Sequence, residues 1–110
     1  LRPQLIETGN LQLDLAARQI SVAGASIPIP RRELGILERL MTSFNRTITR
    51  SSLETAIYGA AGEICANSIE VRISRLRRLL ARSGANVEIE TLRGLGYRLQ
   101  PLKLTQKPKQ

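Results

Sequence analysis

The 110-residue chain has no histidine and no tryptophan, and only one cysteine, one phenylalanine and two tyrosines. Without histidine, Ser-His-Asp and Cys-His catalysis are both excluded. Cys65 alone forms neither an intrachain disulfide nor a cysteine-rich zinc site, and it suits a reducing cytoplasm. With aromatics at 3% of residues, leucine and isoleucine must fill the core, and little is left for stacking on unpaired bases. No apolar run approaches the ~18 residues of a membrane span, and no signal-peptide pattern appears. Asp14, Glu33 and Glu38 are scattered carboxylates that do not pair for acid–base work. Gly94-Leu95-Gly96 lacks the strand-to-helix context of a dinucleotide loop. No enzyme activity, cofactor, metal site or membrane contact is expected. The chain starts at Leu1 rather than Met, so it reads as a piece of a longer protein.

What the chain does have is positive charge and one strongly periodic helix. Seventeen Lys and Arg against nine Asp and Glu leave +8, which favours a polyanionic partner such as nucleic acid. The excess is concentrated. Asn67 to Arg82 holds five arginines and one glutamate. Within it Ile69, Ile73, Leu76 and Leu80 recur at helical spacing and form one apolar stripe. Ser68, Arg72, Arg75, Arg78 and Arg82 are placed on the far side. Asn67 and Glu70 have the spacing of a capping box, and Gly84 ends the helix.

The rest of the chain is one domain of ordinary size. Residues 1–4 read as a linker remnant, 5–100 as the folded domain and 101–110 as a basic flexible tail. Four short extended pieces, Leu5-Ile6-Glu7, Leu11 to Asp14, Gln19 to Val22 and Ser26 to Ile29, punctuated by Thr8-Gly9-Asn10 and Ala23-Gly24, predict a small antiparallel sheet. Leu34, Leu37, Leu40, Met41 and Phe44 predict a first helix over Arg31 to Ser43, with Pro30 in its first turn and Glu33 near its N-terminus. An extended link, Arg46 to Thr49, leads to a second helix from Arg50 to Tyr58 capped by Thr49. Val87 to Leu92 and Tyr97 to Leu99, joined through Arg93-Gly94-Leu95-Gly96, predict a β-hairpin. The fold class expected is α+β: a winged helix-turn-helix with an N-terminal antiparallel sheet, three helices and a C-terminal hairpin wing. In such a fold the third helix enters the major groove and the wing lays Arg93 at the minor groove.

Four stretches carry a family resemblance: Asn67-Ser-Ile-Glu-Val-Arg-Ile-Ser-Arg-Leu-Arg-Arg-Leu, Ile89-Glu-Thr-Leu-Arg-Gly-Leu-Gly-Tyr-Arg-Leu, Ile29-Pro-Arg-Arg-Glu-Leu-Gly-Ile-Leu and Ile48-Thr-Arg-Ser-Ser-Leu. Over residues 5 to 100 the chain resembles the effector domain of OmpR/PhoB-type response regulators. The resemblance implies sequence-specific binding of double-stranded DNA as the output domain of a bacterial two-component transcription regulator. It implies an N-terminal receiver domain addressed by a sensor kinase, and binding to tandem direct-repeat half-sites. It further implies that Ser68, Arg72 and Arg75 face bases and that Ser74 flanks them. Asn67 and Glu70 would lie close to the DNA, and Arg50, Arg77 and Thr91 would contact phosphates. Arg93 would be the wing arginine, with Tyr97 near the DNA backbone. The loop 58–66 resembles the one through which relatives touch RNA polymerase. The chain departs from the family's pattern at Pro30, where Thr or Ser is common, at Tyr58 in place of Trp, and at Arg72 in place of His.

Other readings compete at particular residues. Arg77, Arg78 and Arg82 also suit a solvated helix face, and Tyr97 also suits a core plug. A winged-helix module for RNA would want exposed aromatics, and one for protein–protein contact an apolar patch on the third helix.

Overall fold

The computed structural model describes residues 4–58 and 68–103. Four N-terminal strands, β1 (Leu5–Thr8), β2 (Leu11–Asp14), β3 (Gln19–Val22) and β4 (Ala25–Ile27), form an antiparallel sheet in sequence order. Alternation puts Leu11 and Leu13 of β2 and Ile20 and Val22 of β3 on one face, all buried. The register sets Leu11 opposite Val22 and Leu13 opposite Ile20, so the core face is built from facing aliphatic pairs. β4 ends at Ile27, two residues before the expected strand end, because Pro28 cannot donate to a ladder.

Three helices follow: α1 (Arg31–Thr42), α2 (Arg50–Tyr58) and α3 (Ser68–Ser83). α1 is the hub, touching α2, α3, β1 and a strand of the C-terminal hairpin. Pro30 stands at its N-cap in an extended conformation and not inside the first turn, and no side chain caps that end. Thr49 caps α2 as expected, its Oγ1 accepting the Ser52 N–H at 3.1 Å. α3 ends as Gly84 turns to φ +79 and Ala85 N–H reaches back to the Leu80 carbonyl at 3.0 Å. Ile69, Ile73, Leu76 and Leu80 are buried as the periodicity requires, against Leu34, Leu37, Leu40 and Leu53.

The hairpin pairs β5 (Val87–Leu92) with β6 (Gly96–Pro101), one strand longer at both ends than the sequence suggested. It is seated on the link between α1 and α2. Ile48 N–H donates to the Tyr97 carbonyl at 2.8 Å and Tyr97 N–H to the Ile48 carbonyl at 2.9 Å, and Asn45 N–H reaches the Leu99 carbonyl at 2.8 Å. Gly96 makes this approach possible. Its φ is +152, and a Cβ there would lie 2.0 Å from the Ile48 oxygen. The close approach that this glycine permits is to the protein's own backbone. A second clasp joins the two sheets. Asn10 and Asn86 exchange backbone N–H to side-chain Oδ1 bonds, 2.9 Å each way.

Candidate nucleic-acid interface

α3 presents different chemistry on each side. At about 100° per residue, Val71, Ser74, Arg75, Arg78 and Arg82 lie opposite the buried stripe. Arg72 and Arg77 fall roughly 70° to either side of that stripe. Val71, Ser74, Arg75, Arg78 and Arg82 are all exposed. Arg72 is not on the far side, contrary to the sequence reading. Its side chain is only 19% exposed and turns toward α1.

On the α1 flank, Glu33 is 2% exposed and receives two guanidinium groups. Arg72 donates to its Oε1 at 3.3 Å and Arg75 to its Oε2 at 3.5 Å. Burying an unpaired carboxylate is strongly unfavourable, so its partners have to come from a neighbouring element, and here that element is α3. The sequence assigned Glu33 only a favourable position near a helix start. Its role as the partner of two arginines was not legible there, because the partners lie about forty residues away.

On the opposite flank, Arg77 ties α3 to the wing. Its Nε donates to the Ile89 carbonyl at 3.0 Å and a terminal nitrogen to the Thr91 hydroxyl at 2.6 Å. Arg77 and Thr91, expected as phosphate contacts, are thus first a mutual tie. Both remain exposed, and the acceptors are neutral, so the guanidinium keeps its whole charge.

At the start of α3, Glu70 accepts from Arg50 with both oxygens, at 2.8 and 2.9 Å. Arg50 also pairs with Glu54 within α2. The hydrogen bonds from Arg50 hold the Glu70 carboxyl below the usual carboxylate range, and Glu70 in turn pushes the Arg50 guanidinium up. In the free domain Arg50 therefore joins α2 to α3, and Glu70 is engaged by Arg50. The capping box with Asn67, the Ser68 side chain, loop residues 59–66 and the tail from 104 to 110 lie outside the described residues.

The wing tip carries Arg93, exposed and without a hydrogen bond or ion pair among the described residues. A groove lined by Arg50, Glu70, Thr91, Arg93 and Tyr97 separates it from the first turn of α3. Tyr97 is 8% exposed and packs in the core, which pushes its phenol up, chiefly through burial. The core-plug reading is the one its burial favours. Leu95 beside the tip is 63% exposed.

Sequence reasoning missed Val71, which is 44% exposed in the middle of the arginine face. The signal was available: a β-branched apolar residue about 180° from the apolar stripe has no core to serve. Its methyl groups suit contact with a thymine methyl. Among the described residues no group of His, Cys, Asp and Glu could hold a metal ion, and no helix is long and apolar enough to cross a membrane.

Three helices with an arginine-bearing third helix, followed by a docked hairpin, define a winged helix-turn-helix. Residues 24–99 match the family model described as transcriptional regulatory protein, C terminal, and the chain belongs to this family, the DNA-binding domains of OmpR/PhoB-type response regulators. Among similar proteins, a probable transcriptional regulatory protein of Sinorhizobium fredii is 46% identical over 96 residues, covering 87% of this chain and 42% of the relative. The response regulator protein PmrA of Pseudomonas aeruginosa is 37% identical over 95 residues, covering 86% of this chain and 41% of the relative. The chain thus spans about two fifths of the length of these curated relatives. The solved DNA-binding domain of Klebsiella pneumoniae RstA, in complex with RstA box, superposes with a TM-score of 0.75 at 27% identity, covering 89% of this chain and 98% of that one.

Proposed function

We propose that this domain reads double-stranded DNA as the output module of a cytoplasmic two-component transcription regulator. α3 enters the major groove, and the wing tip lies at the flanking minor groove. The observation that carries this reading is the exposed row Val71, Ser74, Arg75 and Arg78 on α3, together with an exposed Arg93 on the wing tip. The row offers a bidentate donor for a guanine edge and an apolar contact for a thymine methyl. Arg93 offers a slender cation for the negative minor groove. Val71, Ser74, Arg78 and Arg93 are not needed to seal the core, and Arg75, although it touches Glu33, keeps a side chain that is 60% exposed.

The remaining roles follow from the family. A receiver domain under a sensor kinase would bring two copies onto tandem direct-repeat half-sites about one helical turn apart. Loop 58–66 would be the contact to RNA polymerase. Asn67, Ser68 and Glu70 would approach the DNA at the start of α3, with Ser74 beside Arg75. Arg50, Arg77 and Thr91 would line the phosphate path.

Selection of binding sites from random duplexes tests the reading directly. A defined half-site is expected. On it, Arg75→Ala should cost about 1–3 kcal/mol and far less on random DNA. Arg93→Ala should leave stability within about 0.5 kcal/mol and remove much of the preference for A·T-rich flanks. Equal losses from Arg75→Ala on both DNAs would make it a phosphate contact. Failure to enrich any sequence would overturn the proposal.

A further inference from the structure

The contact between α1 and α3 contains more charge than packing needs. Glu33 is as buried as the aliphatic residues around it, yet its two oxygens are served by two different arginines. Those arginines are unequal. Arg72 is 19% exposed, and its Nε is buried with no hydrogen-bond partner. Arg75 is 60% exposed. At 3.3 and 3.5 Å, both contacts are longer than the about 2.7–2.9 Å of a tight charge-assisted bond. Arg72, the more sheltered of the two, keeps the buried carboxylate paired, while Arg75 is tethered to it without being locked. Arg75 can leave for DNA at little loss while Arg72 stays. If both left, Glu33 would be a buried unpaired charge.

Resting on the DNA-binding reading above, we infer that Glu33 is a positioning residue that determines specificity: it retains Arg72 as its own counter-ion, off the DNA, and steadies Arg75 at the edge of the major groove. Arg72 then contributes to neither base reading nor phosphate neutralisation, although it belongs to the recognition helix. Arg75 arrives at the groove with its stem already restricted, so less rotamer freedom is lost when it meets a base.

Salt dependence separates this from a purely structural role. Binding of the wild-type domain to its selected duplex and to a random duplex is measured across salt, alongside Glu33→Gln and the double variant Glu33→Gln/Arg72→Gln. In Glu33→Gln, Arg72 is released, so the slope of log affinity against log salt should steepen by about 0.9, and random-duplex affinity should rise about fivefold at 0.15 M salt. The specific-to-random ratio should fall by about two- to tenfold, because Arg75 is no longer steadied. Adding Arg72→Gln should return the slope to wild type. A merely structural Glu33 would weaken both duplexes equally and leave the slope unchanged, and that result overturns the inference. If Glu33→Gln does not fold, the double variant, which has no charge at this contact except Arg75, decides alone. A wild-type slope supports the inference, and a slope shallower by about 0.9 shows that Arg72 touches phosphate and overturns it. A wild-type domain that binds neither duplex refutes the DNA-binding reading itself, which is a different outcome from unchanged slopes among domains that bind.

Discussion

The two flanks of α3 use the same residue type in opposite ways. Toward α1, Arg72 and Arg75 meet one buried carboxylate, so one of their two positive charges is compensated inside the protein. Toward the wing, Arg77 meets a backbone carbonyl and a threonine hydroxyl, so it gains hydrogen bonds and loses no charge. A tie made through neutral acceptors fixes a side chain and keeps its field available to a phosphate. A tie made through a carboxylate fixes a side chain and cancels its field. Counting arginines along the helix does not distinguish these cases, because all five contribute equally to the net charge of the sequence.

The largest way to break the contrast is to unseat the wing. Gly96→Ala places a Cβ against the Ile48 carbonyl at a positive φ. It should destabilise the domain by about 1–3 kcal/mol while the Glu33 contacts on the other flank persist. Urea unfolding measures it, and an unchanged midpoint would show that the link and the wing are not docked through this pair.

A smaller perturbation removes only the tie. Arg77→Met keeps much of the aliphatic stem and deletes two hydrogen bonds donated by a charged group. It should cost about 1–2 kcal/mol in thermal stability. Affinity should fall by a similar factor on specific and random duplexes, since Arg77 lies on the wing flank of α3 and not in its outward row. A loss confined to the specific duplex would place Arg77 among the base readers.

The smallest effect lies at the start of α3. Arg50 holds the Glu70 carboxyl below its ordinary value, so the folded-state pKa is depressed. The associated stability is fully present above the unfolded value of about 4.3 and is lost as pH falls through the folded one. Because the pair is largely exposed, its worth at neutral pH stays below about 1 kcal/mol. Thermal melts of wild type and Glu70→Gln should differ slightly near neutrality and converge at the acid end. A gap that persists at the lowest pH would locate the acid sensitivity elsewhere.

Much of the architecture was legible because it is local. The spacing of Ile69, Ile73, Leu76 and Leu80 determines which side of α3 is inside. Thr49 and Gly84 mark helix ends through hydrogen bonds that span only a few residues. The alternation in Leu11 to Asp14 and Gln19 to Val22 sets which face of each strand is buried. The N-cap at Pro30 and the early end of β4 were misjudged by one or two residues, where the backbone changes direction and periodicity carries no information.

Fold class, net charge and the outward face of α3 follow from the sequence alone, since each depends on residue type and on a period shorter than a helical turn or two. The fate of each arginine was decided only by tertiary structure. Arg72 is sheltered because α1 delivers Glu33 from 39 positions away, Arg50 is engaged because Glu70 arrives from 20, and Arg77 is tied because β5 returns beside α3. Arg93 is without a partner among the described residues because the hairpin tip holds it across a groove from the first turn of α3, where Glu70 is already taken by Arg50. Charge compensation acts through space over a few ångströms, and chain separation does not encode which acceptor will be there.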